Sequence, residues 1–392
     1  MKHSTQVWLI HEIFDAIDRG TPAMAEKFTR NDPSAYTSPE RAAREREVLF
    51  RNHPIIVGFS SQIPNPGDYL IEDLAPVPIL VVRNGAGELR AFVNICRHRG
   101  AKLVSGCGSD AKRFSCPYHA WTYDTDGRLV AIPDEYGFEG LDRAASGLVA
   151  LPVAEKYGLV FVTAAPGEPI EIDAMLGGLA EDINSYRIGS FAHQETRVVR
   201  RRMNWKLVSD TFWEAYHIKV LHAQNVGPLF VKNLAMFDAF GRNHRYVGVR
   251  KSIEKLRDLP EEKWDLVPHA TLLMNLFPNT ILVMQSDHAE VYRVFPAGSH
   301  PGESVTAISI LAPEASPKWS RTMDMLLGVV EQDFAVGEGI QHGFESGAIR
   351  KVMYGRYENA LEHFHRSIRE ALGESPERTG WPTTRRPART GA

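Results

Sequence analysis

Residues 96–103 read CRHRGAKL and residues 116–129 read CPYHAWTYDTDGRL, and these two stretches decide the fold. Each contributes one thiolate and one imidazole. The four side chains are Cys96, His98, Cys116 and His119. Such short spacings are typical of tight turns, so two hairpin loops can bring the four ligands around one centre. The sequence therefore predicts a Cys₂His₂ metal centre in this part of the chain.

Two kinds of metal centre compete for this ligand set. Zinc would take all four side chains tetrahedrally. A Rieske [2Fe–2S] cluster would place two cysteines on one iron and two histidines on the other. Zinc fingers usually pair Cys with Cys and His with His along the chain, whereas each loop here contributes one of each. This division favours the cluster, and a zinc-stapled binding protein is the alternative. Cys107, between the loops, is expected to be a small buried hydrophobe.

The rest of the chain divides into segments of different pattern. Apolar residues at helical spacing precede a region of short β runs with turn signals such as Asp126-Gly127. The following region combines strands with helices, notably around 205–222 and 319–341, which indicates an α+β domain with an antiparallel sheet. The expected segments are 1–45 (helical, packing on the catalytic domain), 46–165 (β-rich), 166–374 (catalytic) and 375–392 (a loose tail).

Composition and charge narrow the possible classes of function. The formal net charge of −3 provides no basic field, so no nucleic-acid partner is expected. Three cysteines cannot build a disulfide scaffold, which predicts a reducing, cytoplasmic setting. No apolar run approaches the ~18 residues that span a bilayer, so no membrane association is expected.

His217 and His222, five residues apart, are candidate ligands of a second metal, although a histidine pair on a helix is by itself more often structural. On an ideal helix five residues advance ~500°, so the helix must end or bulge between the two rings if they share a metal. A mononuclear iron that activates O₂ needs two histidines and one carboxylate on one face, with the other positions open. From spacing alone the carboxylate is one of four residues: Asp324, Glu331, Asp333 or Glu338.

Two further carboxylates, Asp210 and Glu214, are candidate catalytic residues. Spacings of four and three residues place them on one helical face with His217. Phe212 and Trp213 beside them are too apolar for an ordinary exposed helix. This favours a functional role over a solvated acidic face.

The two ligand stretches resemble the Rieske domain of ring-hydroxylating oxygenases, and residues 214–222 are similar to that family's iron-ligand segment. The likeness covers most of the chain from about residue 40 to 370, loosely outside these motifs; Ala120 stands where the family usually has glycine. The resemblance implies an α+β protein. Its parts are an all-β Rieske domain and a catalytic domain whose antiparallel sheet is covered by helices (helix-grip, START-like).

The resemblance also assigns roles to residues. It selects Asp333 as the third iron ligand beside His217 and His222. It implies that Glu214 joins His217 to the cluster ligand His119 of a neighbouring subunit in a head-to-tail homotrimer. The implied cofactors are a Rieske-type [2Fe–2S] cluster and a mononuclear Fe(II).

The function implied is that of a terminal oxygenase that uses O₂ and a small organic substrate. Because no full dinucleotide fingerprint is visible, electrons from NAD(P)H should arrive through a separate reductase, with or without a ferredoxin. Hydroxylation or demethylation of an aromatic, alicyclic or quaternary ammonium compound is weakly favoured over cis-dihydroxylation of aromatic hydrocarbons during their catabolism. A simple Rieske electron carrier is the rival class, although it would not need a second domain.

The substrate pocket is predicted from residues near the iron ligands in sequence and on the following strands. Most of these residues are apolar, which favours an aromatic or alicyclic ligand, but the same residues would build any core. They are Phe212, Leu221, Val226, Leu273, Met274, Asn275 and Phe277.

Overall fold

The structure is a computed structural model that describes residues 1–22 and 24–374; the predicted tail at 375–392 lies outside the described residues. The strands are β1 (Thr29–Asn31), β2 (Ile55–Phe59), β3 (Tyr69–Glu72), β4 (Ile79–Arg83), β5 (Leu89–Val93), β6 (Arg113–Ser115), β7 (Thr122–Asp124), β8 (Leu129–Ala131), β9 (Ala150–Leu151), β10 (Val153–Lys156), β11 (Leu159–Val162), β12 (Ala192–Arg201), β13 (Phe230–Phe240), β14 (Asn243–Arg250), β15 (Ala270–Leu276), β16 (Thr280–Met284), β17 (Ala289–Pro296), β18 (Ser304–Ala312) and β19 (Val352–Tyr354).

The α-helices are α1 (His3–Arg19), α2 (Ser34–Thr37), α3 (Pro39–Glu45), α4 (Ile172–Leu176), α5 (Leu179–Ser185), α6 (Trp205–Asp210), α7 (Ile218–Leu221), α8 (Lys318–Glu345) and α9 (Asn359–Ala371). Arg46–Arg51 forms a π-helix. Short 3₁₀ segments are Ser60–Gln62, Glu135–Phe138, Ile188–Ser190, Gly227–Leu229, Lys251–Asp258, Glu261–Lys263 and Val267–His269. None of the helices in the described part of the chain is long and apolar enough to cross a bilayer.

The chain forms two compact units whose segments alternate along the sequence. The first, which we call the β unit, contains Glu45–Met175 and Arg187–His193. The second, the sheet–helix unit, contains Met1–Arg44, Leu176–Tyr186 and residues 194–374.

The β unit consists of small antiparallel sheets, with strand orders β10-β11-β2, β3-β4-β5-β9 and β6-β7-β8. The predicted turn at Gly127 joins β7 to β8 and has φ 80°. A Cβ at this position would lie 2.4 Å from the Phe92 ring, so both the turn and the packing require glycine. Phe92 belongs to an apolar core that also contains Cys96 and Cys116.

The sheet–helix unit is built on an antiparallel sheet with the strand order β12-β18-β17-β16-β15-β14-β13. The helix predicted around 319–341 is confirmed by α8, and the antiparallel strands expected in this part of the chain are present. The α+β fold class is therefore confirmed.

One face of this sheet, which we call the inner face, packs against the segment that follows α6. Register aligns His244, Asn275, Ile281 and Tyr292 across four adjacent strands, so their side chains share this face. The segment after α6 packs on it through Trp213, whose ring centroid lies 4.3 Å from that of His244.

The opposite face buries an ion pair. Arg245 of β14, only 2% exposed, pairs with Asp182 of α5 and donates to Asp238 of β13 at 2.6 Å. This network ties α5 to the sheet, because an uncompensated guanidinium charge could not remain there.

We predict that Asp182→Ala lowers the free energy of unfolding by about 3–5 kcal/mol, since it leaves the buried Arg245 charge half compensated. Urea unfolding measures this loss. Asp15→Ala removes the exposed ion pair with Arg19 and serves as a control, with an expected change of less than about 0.5 kcal/mol. Equal effects of the two substitutions would contradict the prediction.

Candidate metal centres

Both predicted cysteine–histidine loops have the same backbone hydrogen bonds. The carbonyl of Cys96 accepts from the N–H of Gly100 at 3.0 Å, and the carbonyl of Cys116 accepts from Ala120 at 2.9 Å. The N–H of each cysteine donates to the carbonyl five residues later, at 2.8 Å in both loops. Two turns of one design thus present a cysteine and a histidine each.

The four side chains come together in the β unit. Cys96 and Cys116 are buried, with their thiols in hydrogen-bonding reach of one another. His98 and His119 are half-buried, and their ring centroids are 4.8 Å apart. Trp121 stacks on His98, with ring centroids 4.9 Å apart.

The donor set fits a Rieske cluster. The Nδ1 atoms of His98 and His119 are buried and have no hydrogen-bond partner within the described chain. Ligation to a metal would satisfy both nitrogens. The thiols are paired on the buried side and the imidazoles are paired nearer the surface. This is the division that two irons with different ligands require.

The buried Tyr123 contacts the cluster-ligand loop through its hydroxyl. Its hydroxyl lies 3.4 Å from Sγ of Cys96 and accepts the N–H of Arg97 at 3.0 Å. Burial raises the pKa of the Cys96 thiol, and the hydrogen bond from Tyr123 opposes this rise. The tyrosine can therefore stabilise a thiolate there.

Ala120, within the second loop, has an unusual backbone conformation, and Cys107, between the loops, is exposed. Ala120 has φ 54°, a left-handed conformation that favours glycine, as at Gly100 with φ 76°. The substitution noted in the sequence is therefore a strained one. Cys107 is exposed, so its prediction as a buried hydrophobe is wrong. It lies in the segment of turns between the two loops, away from the apolar core.

The iron-ligand segment is not one helix, and the prediction of a helix around 205–222 is wrong in this respect. Helix α6 ends at Asp210, and α7 covers only Ile218–Leu221. His217 precedes α7 and His222 follows it. The ring centroids of the two histidines lie 5.2 Å apart. The sequence argument expected the helix to end or bulge between the two rings, and α7 ends at Leu221, directly before His222, which has the non-helical backbone angles φ −99° and ψ 24°.

Asp333 of α8 faces both rings. Its Oδ1 lies 3.1 Å from Nε2 of His222 and 3.5 Å from Nε2 of His217. One ligand atom from each of the three residues lies within 4.8 Å of the others. A metal ion fits such a set of two imidazoles and one carboxylate.

The other three carboxylates lie elsewhere. Glu331 pairs with Arg201, and Glu338 accepts the backbone N–H of Arg202 at 2.9 Å. Asp324 is exposed and lies 4.0 Å from Arg197. None of the three belongs to the metal-binding group found among the described residues.

The ring orientations are fixed from behind. Glu214 contacts Nδ1 of His217 and accepts the backbone N–H of that residue at 3.0 Å. Gln332 Oε1 lies 2.9 Å from Nδ1 of His222. These acceptors hold the proton on Nδ1 and leave Nε2 free towards Asp333. Burial alone would lower the pKa of His222, but Asp333 reverses this and raises it. Gln332 was missed, because its residue type gives no signal in sequence.

Asp210 does not share a helical face with Glu214 and His217, since α6 ends there. It accepts from the Tyr36 hydroxyl at 2.7 Å and from Nε2 of His365 at 2.9 Å. The structure thus places it in a buried polar network.

The predicted pocket residues divide between different surroundings. Leu273 and Asn275 lie on the inner face, but register pairs Met274 with Arg245 on the opposite face, so its prediction as a pocket residue is wrong. Strand alternation accounts for this. Phe212 contacts Tyr292 on the inner face, with centroids 4.6 Å apart. Leu221 and Val226 are half-buried near His222, and Phe277 is buried after β15.

Family comparisons agree with this geometry. Residues 53–142 match the profile described as Rieske [2Fe-2S] domain. Residues 188–374 match the profile described as Ring hydroxylating alpha subunit (catalytic domain).

The relatives fall into two groups, oxygenase subunits of monooxygenases and alpha subunits of dioxygenases. The glycine betaine monooxygenase oxygenase subunit of Chromohalobacter salexigens is 27% identical over 364 residues, 82% of this chain and 80% of that protein. The carnitine monooxygenase oxygenase subunit of Acinetobacter baumannii is 33% identical over 48% of this chain and 51% of that protein. The alpha subunit of biphenyl 2,3-dioxygenase from Rhodococcus jostii is 35% identical over 43% of this chain and 35% of that protein.

Solved structures share the fold. A quaternary ammonium Rieske monooxygenase, CntA, in complex with L-carnitine has a TM-score of 0.76 at 23% identity, covering 91% of this chain and 97% of that one. Naphthalene 1,2-dioxygenase from Rhodococcus sp. has a TM-score of 0.73 at 19% identity, covering 94% and 99%.

We predict that Ala120→Gly stabilises the β unit by about 1 kcal/mol, because it relieves the left-handed strain of alanine. Urea unfolding followed through the visible absorption of the cluster measures this gain. Ala154→Gly, in strand β10, is the matched control and should destabilise by about 0.5–1 kcal/mol. A loss of stability in Ala120→Gly would contradict the interpretation.

We predict that Asp333→Ala lowers the iron content from about three to about two atoms per chain without changing the visible absorption, because only the mononuclear site loses a ligand. Metal analysis with absorption spectroscopy measures both quantities. Asp324→Ala, an exposed aspartate on the same helix, should keep all the iron. Full iron content in Asp333→Ala would remove the aspartate from the ligand set.

Proposed function

Because the chain belongs to the Rieske non-haem iron oxygenases, we propose that it is the oxygenase component of a multicomponent monooxygenase that hydroxylates or demethylates a small organic substrate with O₂. The observation that carries this proposal is the convergence of His217, His222 and Asp333 within 4.8 Å. Two histidines and one carboxylate leave positions open on an iron(II) for O₂ chemistry.

Each cofactor has its own set of residues in this proposal. Cys96 and Cys116 would hold one iron of the [2Fe–2S] cluster, and His98 and His119 the other. The His217, His222 and Asp333 side chains would hold the mononuclear iron. When bound, the cluster supplies single electrons and the iron supplies the means to activate O₂.

The supporting side chains set orientation and charge. Glu214 keeps the His217 ring in place through its contact with Nδ1, and Gln332 does the same for His222. Such partners of metal-bound histidines fix the tautomer and raise the basicity of the ligand. Phe212 and Trp213, which follow α6, pack against Tyr292 and His244 of the inner face and so fix the start of the iron-ligand segment on the sheet.

The assembly and the electron source complete the proposal. A homotrimer would bring Glu214 of one subunit next to His119 of its neighbour, so that one carboxylate touches ligands of both centres. A separate reductase, with or without a ferredoxin, would deliver electrons from NAD(P)H.

Monooxygenation is favoured over cis-dihydroxylation by the one relative named above that aligns over most of the chain. The glycine betaine monooxygenase subunit aligns over 82% of this chain, whereas the carnitine monooxygenase subunit aligns over 48% and biphenyl dioxygenase over 43%. A quaternary ammonium compound with an oxidisable N-methyl group is therefore the first substrate to test.

We predict that the reduced, iron-loaded protein converts an N-methylated ammonium substrate in a single-turnover assay with O₂. Glu214→Gln should keep the iron content but lower the product yield at least about tenfold, because the carboxylate charge behind His217 is lost. Product and iron are measured on the same sample.

Glu331→Gln is the control, since this exposed glutamate pairs with Arg201 only two residues from Asp333. It should give the full product yield. Normal yield in Glu214→Gln would contradict the role of Glu214. No O₂-dependent product from any quaternary ammonium or aromatic substrate would contradict the proposed function itself.

A further inference from the structure

A chain of polar side chains crosses the inner face beside the iron-ligand residues. Arg250, at the end of β14, donates from Nη2 to Oε1 of Gln285 at 2.7 Å. Gln285 donates from Nε2 to Oε1 of Glu290 at 2.9 Å. The hydroxyl of Tyr292 donates to Oε2 of Glu290 at 2.8 Å. The amide of Gln285 therefore separates a cation from an anion.

Arg250 has donor capacity that the protein does not use. Its Nε is buried and has no hydrogen-bond partner among the residues that the structure describes. Its Nη2 also donates to the hydroxyl of Thr271, a neutral acceptor, at 3.2 Å. A buried guanidinium N–H without a partner is costly. An anionic ligand group would satisfy it.

Glu290 lies at the other end of the chain. It is 5% exposed and accepts from both Tyr292 and Gln285. Nε2 of His288 lies 3.5 Å from its Oε1. Glu290 does not form an ion pair with Arg250 within the described chain, because Gln285 stands between them. Both charges therefore persist at separate points of one surface.

Tyr292 connects this chain to the iron site. Its ring centroid lies 4.6 Å from that of Phe212, which precedes His217 by five residues. Burial, then the charge of Glu290, then that of Asp333 raise the pKa of the Tyr292 hydroxyl. The hydroxyl therefore feels both carboxylates. Along the inner face the order is two aromatic rings, a carboxylate and a guanidinium, and Asp333 is close enough to act on the Tyr292 hydroxyl at the aromatic end.

We propose that this row is a recognition subsite for a small zwitterion, whose carboxylate binds Arg250 and whose methylated ammonium group lies against Phe212 and Tyr292 beside Glu290. The proposal rests on the proposed function, because the ammonium end is the one next to the iron ligands. Aromatic faces attract quaternary ammonium groups, and a guanidinium binds a carboxylate through parallel N–H donors.

The first test measures binding to the iron-loaded protein by anaerobic calorimetry, without turnover. Glycine betaine and γ-butyrobetaine carry both charges, choline lacks the carboxylate, and 3,3-dimethylbutyrate lacks the cation. At least one zwitterion should bind about tenfold or more tightly than either single-charge compound. Equal or tighter binding of choline or 3,3-dimethylbutyrate, or no zwitterion binding, would overturn the proposal.

The second test changes the guanidinium. Arg250→Gln should weaken the affinity for the zwitterion by at least about tenfold. The affinity for choline should change by less than about twofold. Arg250→Lys, which keeps the charge, should recover part of the affinity. Lys251→Gln is the matched control, since it removes the same charge from an exposed neighbour. It should change the affinity for neither ligand. Equal losses for choline and zwitterion in Arg250→Gln would make Arg250 structural and contradict the subsite.

The two proposals fail in different ways. Zwitterion binding that depends on Arg250, without any O₂-dependent product, would contradict the oxygenase function. The proposal of a zwitterion subsite would still stand. O₂-dependent oxidation of an uncharged aromatic compound, without zwitterion binding, contradicts the subsite and leaves the function.

Discussion

The buried carboxylate of Asp333 is the constraint on which the sheet–helix unit depends. It lies in the middle of a 28-residue helix and is 9% exposed. A charge in that position is costly unless cations or a metal compensate it. The Nε2 atoms of His217 and His222, which flank the short helix α7, face it. Glu214 and Gln332 then hold the rings from behind.

The two centres use different chemistry for different tasks. Buried thiols and two imidazoles suit a cluster that carries electrons, whereas imidazoles with a carboxylate suit an iron with open positions. The β unit needs only two turns of one design to bring its ligands together. The sheet–helix unit instead needs a broken helix, a long helix and the inner face of a sheet. The inner face also carries Arg250 and Glu290 at separate points, and the proposed subsite would use both of them to select a substrate.

Short-range features of this protein were predictable from sequence, and long-range ones were not. The cysteine–histidine loops were predicted, because their spacing encodes the turns. The need for an interrupted helix followed from helix geometry, but its position did not, so Asp210 was wrongly placed on one face with Glu214. Strand β14 was not located, because it buries polar residues such as Arg245 and His244 whose partners, Asp182 and His363, lie far away in sequence. Asp333 needed the family resemblance, since spacing treated four carboxylates alike.

The most direct test of the account is Mössbauer spectroscopy of ⁵⁷Fe-enriched protein purified without oxygen. A cluster of two irons and one mononuclear iron per chain should give roughly three iron environments in equal amounts. Two should belong to the cluster, one with sulfur-rich and one with nitrogen-containing ligation, and the third should be a mononuclear ferrous ion with nitrogen and oxygen ligands. Zinc in place of the cluster, or a cluster without the third signal even after iron(II) is added, would contradict it.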